Sequence, residues 1–307
     1  MKVVVAGGSG LLGSHLIVGL LGQGHRPVIL SRDPERARAH LPADAQVVGW
    51  SPPELGAWTL ELADAGAVID LTGASVGRWP WTAGRMRLLR ESRIEPTKTL
   101  IRALSDLPVE RRPGVLLNAS GTDLYEGRDA EPADESTQPA DTFLSRLCID
   151  WEEQARQAEA LGLRVVLLRF SLVFAPGAPA LNRLTLPFRM FVGGTIGSGS
   201  QWLSWVSVDD AVGIVLFALH DAGISGPLNI AAPDPRRQAD FARCLGEAMH
   251  RPSRVQVPSW VVRLVLREQA TLILGSRRVW PAKALAAGYA FQQPHLEEAL
   301  RRAIQVA

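Results

Sequence analysis

Short apolar runs alternate with amphipathic stretches along the first 170 residues. Val3 to Ala6, Pro27 to Leu30, Gln46 to Gly49, Ala67 to Leu71, Val115 to Asn118 and Arg164 to Arg169 are near-continuous apolar runs rich in β-branched residues. Runs of that kind predict strands buried on both faces, as in a parallel sheet. Between them, Leu11 to Leu21, Ala83 to Ser105 and Thr142 to Leu161 predict helices. The alternation implies a doubly wound parallel sheet with right-handed crossovers.

The pattern changes after Phe174. Ala175-Pro176-Gly177-Ala178-Pro179 is a breaker cluster, and residues 193–200 hold four glycines. A further βα piece then follows: Asp209 and Asp210 stand where helix N-caps belong, the helix runs to about His220, and Leu228 to Ala231 reads as a strand. Residues 236–307 are mostly helical in pattern. The expected fold is α/β, a doubly wound parallel sheet with a smaller, mostly helical C-terminal lobe. Residues 1–174, completed by 206–232, form the sheet domain, and 175–205 with 233–307 form the lobe on the substrate side.

Composition narrows the function classes. The chain has 307 residues, 47% hydrophobic and 21% charged, in the ordinary range for a protein with a real core. A net charge of +2 points to neither nucleic acid nor an anionic membrane. Lys occurs only at 2, 98 and 283, a skew toward Arg that reads as genome composition. Two cysteines, Cys148 and Cys244, build no disulfide framework, and no basic leader precedes the first strand, so a cytoplasmic location is expected. The longest apolar runs are interrupted by charges, as at Arg263 and Arg267, so none spans a bilayer. The six histidines do not pair at metal-ligand spacing, and no metal is expected.

Gly7-Gly8-Ser9-Gly10-Leu11-Leu12-Gly13 connects the first strand to the first helix. Gly7 permits the tight turn, Gly10 lets backbone approach a pyrophosphate, and Gly13 lets the helix pack closely. The phosphates would meet the free N–H groups of the helix N-terminus. In that context the loop marks a Rossmann dinucleotide site. The second strand then ends Val28-Ile29-Leu30-Ser31-Arg32. An NAD site places an acid near this point to accept from the ribose 2′-hydroxyl. Ser31 and Arg32 instead offer donors and a permanent positive charge, suited to a 2′-phosphate, so NADP (NADPH) is the expected cofactor. Asp33 begins the next helix with Pro34 and Glu35.

The GGSGLLG loop, the SRD after the second strand, LTG at 71–73 and LNAS at 117–120 resemble the extended short-chain dehydrogenase/reductases. RW at 78–79, SRI at 92–94, FLSRLCIDWE at 143–152, VVLLRFSLVFAPG at 165–177 and GSGSQWLSWVSVDD at 197–210 narrow this. Together they are similar to an atypical NAD(P)-dependent epimerase/dehydratase-like branch, some members of which are labelled cell-division-inhibitor-like. The resemblance covers essentially the whole chain. It implies a tightly held NADP(H), with Leu71, Thr72 and Gly73 beside the adenosine half, Arg93 close to the phosphates, Ser120 near the nicotinamide and Leu172 along the cofactor edge. Two departures stand out: Gly121-Thr122-Asp123-Leu124 is unlike the small-apolar then aromatic segment usual there, and Ser207 replaces a frequent histidine.

Most short-chain dehydrogenases use a Tyr and a Lys four residues later, the ammonium lowering the phenol pKa for proton exchange. This chain contains only Tyr125 and Tyr289, followed four residues on by Asp129 and Gln293, so that pair cannot be built. Catalytic candidates are therefore Ser120, to polarise a substrate oxygen, Tyr125, as proton donor or packing tyrosine, and Cys148. Cys148 either lines the nicotinamide pocket or packs as a small buried hydrophobe. Glu152, one turn on from it, is a substrate-orienting group or a helix-surface carboxylate. Trp79, Trp81, Trp202 and Trp205 wall a cleft or pack between lobes, and Gln201 and Ser204 would then fix a ligand's polar group.

The leading expectation is an oxidoreductase or epimerase-like enzyme acting on a small carbonyl or alcohol. The rival is a non-catalytic NADPH sensor or regulatory protein. Sugar-nucleotide epimerisation would need a diphosphate site, for which Arg236, Arg237, Arg277 and Arg278 are the clustered candidates. A homodimer is possible through the two long helices.

Overall fold

The computed structural model describes residues 1–305. Seven strands form its central sheet: β1 Lys2–Ala6, β2 Arg26–Ser31, β3 Gln46–Gly49, β4 Ala67–Asp70, β5 Val115–Gly121, β6 Arg164–Phe170 and β7 Gly226–Ile230. Their order is β7-β6-β5-β4-β1-β2-β3, and every neighbouring pair is parallel. The predicted strands are all present: Gln46–Gly49 has the expected ends, and no end of the others moves by more than three residues.

Side-chain alternation explains why the strands read as unbroken apolar runs. Val3, Val5, Ile29, Ile69 and Leu117 join one core cluster, while Val4, Val28, Leu30, Val68 and Leu116 join another on the opposite face. Helices α1 Leu11–Gly22 and α4 Val208–His220 cover the first face. Helices α2 Ala83–Ser105 and α3 Phe143–Arg156 cover the second. Thr142 caps α3 through its side chain, and a 3-10 turn over Gln157–Leu161 completes the expected helical stretch.

The C-terminal helices α5 Gln238–Met249 and α6 Leu296–Gln305 do not build a core of their own. Phe241, Leu245, Leu296 and Leu300 belong to the same cluster as Val3 and Leu16. Short strands tie the remaining segments together: 172–174 with 205–207, 202–203 with 236–237, and 194–196 with 255–257. The C-terminal segment is thus fastened to the 194–207 segment through these strand pairs, and Lys283 reaches the Ser225 carbonyl at the start of β7.

One helix start differs from expectation. The N-cap of α4 is Ser207, whose hydroxyl accepts from the Asp210 N–H and donates to its carboxylate. Asp209 and Asp210 sit in the first turn, where the helix dipole favours them. Asp210 is fully buried and accepts from the backbone N–H groups of Gln292 at 2.7 Å and Gln293 at 2.9 Å. It also takes the Tyr289 hydroxyl at 3.1 Å, so one carboxylate fastens the chain before α6 to α4. Asp210→Ala strands those donors, and we expect a loss of roughly 3–5 kcal/mol, read as a lower urea midpoint at unchanged m. A loss below about 1 kcal/mol would refute this role.

Candidate functional site

Strand order reverses at β1 and β4, whose C-terminal ends open a crevice of the kind in which α/β sheets bind ligands. Gly7 turns there with φ +76°, and a Cβ on it would stand 2.8 Å from the Leu71 carbonyl and 3.0 Å from the Thr72 nitrogen. The expected neighbours Leu71 and Thr72 therefore touch the loop directly. A Cβ on Gly13 would stand 2.6 Å from Gly8 backbone, so the close contact of α1 is with the loop itself. Gly10 is the N-cap of α1 and no side chain caps that helix. Its first-turn N–H groups, from Leu11, Leu12 and Gly13, remain a site for an anion, with Ser9 exposed beside them.

Thr72 is fixed by a network that the sequence pattern did not disclose. Asp70, fully buried at the end of β4, accepts from the Thr72 N–H at 2.9 Å and hydroxyl at 2.6 Å. Its other oxygen accepts from Thr97 of α2 at 2.7 Å, and Thr97 accepts from the Trp151 indole of α3 at 2.9 Å. Burial raises the Asp70 pKa, and the two threonines oppose the shift.

Gly73 leads from this groove into a cavity of about 910 Å³. A Cβ on it would lie 3.1 Å from the Arg93 guanidinium. Arg93 donates to the carbonyls of Leu89 at 2.9 Å and Ala74 at 3.1 Å and lies over the Trp151 ring. The cavity is walled by Ser120, Asp123, Cys148, Leu172 and Arg93 among others. These join the predicted Ser120, Cys148, Leu172 and Arg93 in one place.

Tyr125 is not there. It is fully buried away from the cavity wall, its hydroxyl donating to Asn229 at 3.0 Å and accepting from Arg169 at 2.5 Å. Burial, only partly offset by Arg169, pushes its pKa up to about 12. Its assignment as proton donor is withdrawn, because a sealed, doubly bonded phenol has no path to a ligand.

Glu152 also lies elsewhere than on a helix surface. It is 4% exposed and paired with Arg169 through two contacts at 2.7 and 2.8 Å. Ser120, beside Arg169 in the strand register, donates its hydroxyl to the same carboxylate at 2.7 Å. The expected donation from Ser120 to a substrate is thus already committed, and the lone pairs are what remain for a ligand. A charge at Arg169, inside a run otherwise buried on both faces, was the available signal, since such a charge needs a partner.

Helix α3 turns Leu144 and Cys148, four residues apart, toward the cavity. Asp123, at the end of β5, is the one carboxylate on the wall among the described residues, held by Arg277 at 2.9 Å. Its Oδ2 and the Cys148 sulfur converge above Gly121, at 3.4 and 3.5 Å from where a Cβ would stand. Burial, with the Asp123 and Glu152 charges nearby, pushes the Cys148 thiol up to about 12.

The tryptophans divide. Trp79 and Trp202 line the cavity, whereas Trp205 is fully buried on Phe174 and Trp81 packs against Phe143. Gln201 donates to the Ile196 carbonyl. Ser204 is spent on Arg277 and Val279 backbone and fixes no ligand. At the end of β2, Ser31 is buried and its hydroxyl donates to the Asp33 carbonyl, so the donor expected from it is used within the turn. Arg32 is exposed. Among the described residues, no group of His, Cys, Asp or Glu is arranged to hold a metal ion, and no helix is long and apolar enough to cross a membrane.

A profile of the NAD dependent epimerase/dehydratase family matches residues 3–231. The chain belongs to that family. A second profile, a domain of unknown function (DUF1731), matches residues 257–303 of this epimerase-family chain, and the first part of it, up to Arg277, contributes to the cavity wall. Epimerase family protein SH2119 of Staphylococcus haemolyticus is 35% identical over 300 residues, 96% of each chain. Epimerase family protein YfhF of Bacillus subtilis is 35% identical over 307 residues, 99% of this chain and 98% of its own. Among solved structures, human epimerase family protein SDR39U1 (isoform 2) with NADPH aligns at TM-score 0.84 with 29% identity, covering 99% of both chains.

Neither thiol of this family member is poised to ionise, since burial also pushes Cys244 up to about 11. Thiolates react and thiols do not. At pH 8 a thiol-specific reagent should therefore label neither cysteine in the folded protein and both after unfolding. Rapid labelling of Cys148 in the native state would contradict this placement.

Proposed function

We propose that the chain binds NADP(H) along the groove and exchanges hydride with the carbonyl or alcohol carbon of a substrate in the adjoining cavity. The observation that carries the cofactor choice lies after β2. Asp33, the nearest acid, spends its carboxylate capping the helix Pro34–Arg38 through the Arg36 N–H at 3.1 Å. Arg32 is exposed and has no ion-pair partner among the described residues. A ribose 2′-phosphate supplies the missing anion, and the human relative was solved with NADPH.

The uncapped start of α1 would hold the pyrophosphate, and the glycines leave room where a Cβ would collide. When bound, the nicotinamide supplies hydride transfer. Ser120 orients the substrate: with its proton directed to Glu152, its Oγ accepts from a substrate hydroxyl. Arg169 holds the Glu152 carboxylate in place, a positioning role behind Ser120. Leu144, Trp151 and Leu172 exclude water from the reacting face. Asp123 takes the place withdrawn from Tyr125, holding or releasing the substrate proton at Oδ2 while Arg277 fixes the other oxygen.

A second reading, a protein that keeps the nucleotide without turning it over, is favoured by one observation. Leu144 and Cys148 offer the cavity no phenol and no ammonium. Asp123 separates the two readings.

Titration of NADPH and NADH tests the cofactor choice. Arg32→Glu should weaken NADPH by roughly 10- to 100-fold, the worth of a charged hydrogen bond, and leave NADH unharmed. Equal binding of both nucleotides by the unmodified protein would remove the argument. Asp123→Asn should lower kcat by about 100-fold or more with NADPH affinity intact. Undiminished turnover in that variant excludes Asp123, and no NADPH oxidation by the parent with aldehydes or quinones supports the sensor.

A further inference from the structure

Three buried polar atoms of residues on the cavity wall have no hydrogen-bond partner: the Trp202 indole Nε1, the Gln269 side-chain Oε1 and the Nε of Arg277, whose guanidinium is ion-paired through Nη2 to Asp123 and Glu126. Gln269 is 5% exposed, and its amide nitrogen is already given to the Val76 carbonyl at 3.2 Å. Buried polar groups are nearly always hydrogen-bonded, and leaving one unmet costs about 1–3 kcal/mol. An indole N–H is a donor only and an amide oxygen an acceptor only. The pair therefore asks for a ligand with one acceptor and one donor.

The rest of the wall is apolar where it is deep. Leu144, Leu147, Leu184, Leu272, Ile273 and Phe241 line it. Its inner cations are committed, Arg93 to backbone carbonyls and Arg277 to Asp123 and Glu126. Arg78 and Arg183, also on the wall, are exposed. Arg236 pairs with Asp234 and Glu297, while Arg237 and Arg278 lie over the Trp202 ring at 4.0 and 4.5 Å. The two inner guanidiniums, Arg93 and Arg277, are matched in number by the carboxylates of Asp123 and Glu126, so an anionic head group deep in this cavity would meet no net positive charge.

We propose that the substrate is a neutral amphiphile, a carbonyl or alcohol carrying a hydrocarbon chain. The chain lies in the apolar part of the cavity, one polar group accepts from Trp202 Nε1, and one donates to Gln269 Oε1. This rests on the hydride-transfer reading for the reacting carbon only; the binding chemistry stands without it.

The experiment uses unreactive binding rather than turnover. Calorimetric titration of n-butanol, n-hexanol and n-octanol, with and without saturating NADP⁺, measures the apolar contribution directly. We expect affinity to rise roughly three- to fourfold per added methylene, the worth of burying that group, and UDP-glucose to bind more weakly than octanol. Trp202→Phe, which keeps a ring between the two arginines, and Gln269→Met should each weaken octanol by roughly tenfold for a lost hydrogen bond, with NADPH affinity unchanged. Affinity independent of chain length, tighter binding of UDP-glucose, or parental octanol affinity in both variants overturns the proposal. Failure of the nucleotide to bind while the alkanol series still rises sinks the cofactor reading alone and supports this one.

Discussion

Burial of the parallel sheet on both faces is the constraint from which the rest of this molecule follows. With two helical layers closing over β1 to β7, polar side chains are excluded from the strand interiors, and the C-terminal edge is where they gather. Asp70, Ser120 and Arg169 all stand at or near the last residue of their strands. Each is buried, so each must find a partner nearby. The site is built from those obligatory pairings.

Two such networks divide the labour. Asp70 with Thr72, Thr97 and Trp151 holds the 71–73 turn against the glycine loop, which sets the width of the groove. Glu152 with Arg169 and Ser120 sets one wall of the cavity and leaves the serine only its lone pairs. A buried ion pair of this kind contributes little net stability, because desolvation offsets the attraction. Its value is geometric: three side chains from β5, β6 and α3 are locked relative to one another.

How much of this was readable in advance follows the same division. Val3 to Ala6 and Val115 to Asn118 announce themselves because burial on both faces imprints a continuous apolar run. Gly7 and Gly13 were legible because close backbone contact excludes every other residue. Asp33 as a helix start was legible from its neighbours Pro34 and Glu35, and its carboxylate is indeed a cap. Tyr125, Glu152 and Ser204 were not, since a side chain's partner comes from a distant strand or helix: Asn229 lies 104 residues from Tyr125. Asp209 and Asp210 were misplaced as caps by local pattern alone, because the hydroxyl of Ser207 competes for the same first-turn N–H. The shared core of the sheet and α5 was equally hidden, as helical periodicity marks an apolar face without naming what covers it.

With Leu144 and Cys148 of α3 on its wall, and no phenol or ammonium there among the described residues, the cavity makes a particular demand of a ligand. An ammonium within the wall would draw anionic or strongly polar substrates and hold water; a leucine and a neutral thiol do neither. Of the deep cations that remain, Arg93 is hydrogen-bonded to carbonyls and Arg277 is ion-paired with Asp123 and Glu126, so positive and negative groups balance in number. On the proposed function, orientation comes from shape, from the few unmet hydrogen bonds, and from Ser120 as an acceptor. The polar groups on the wall include Asp123 after β5, and Trp202 and Gln269 on the covering segments. In this chain the covering segments supply much of the cavity wall, while the sheet edge supplies the groove.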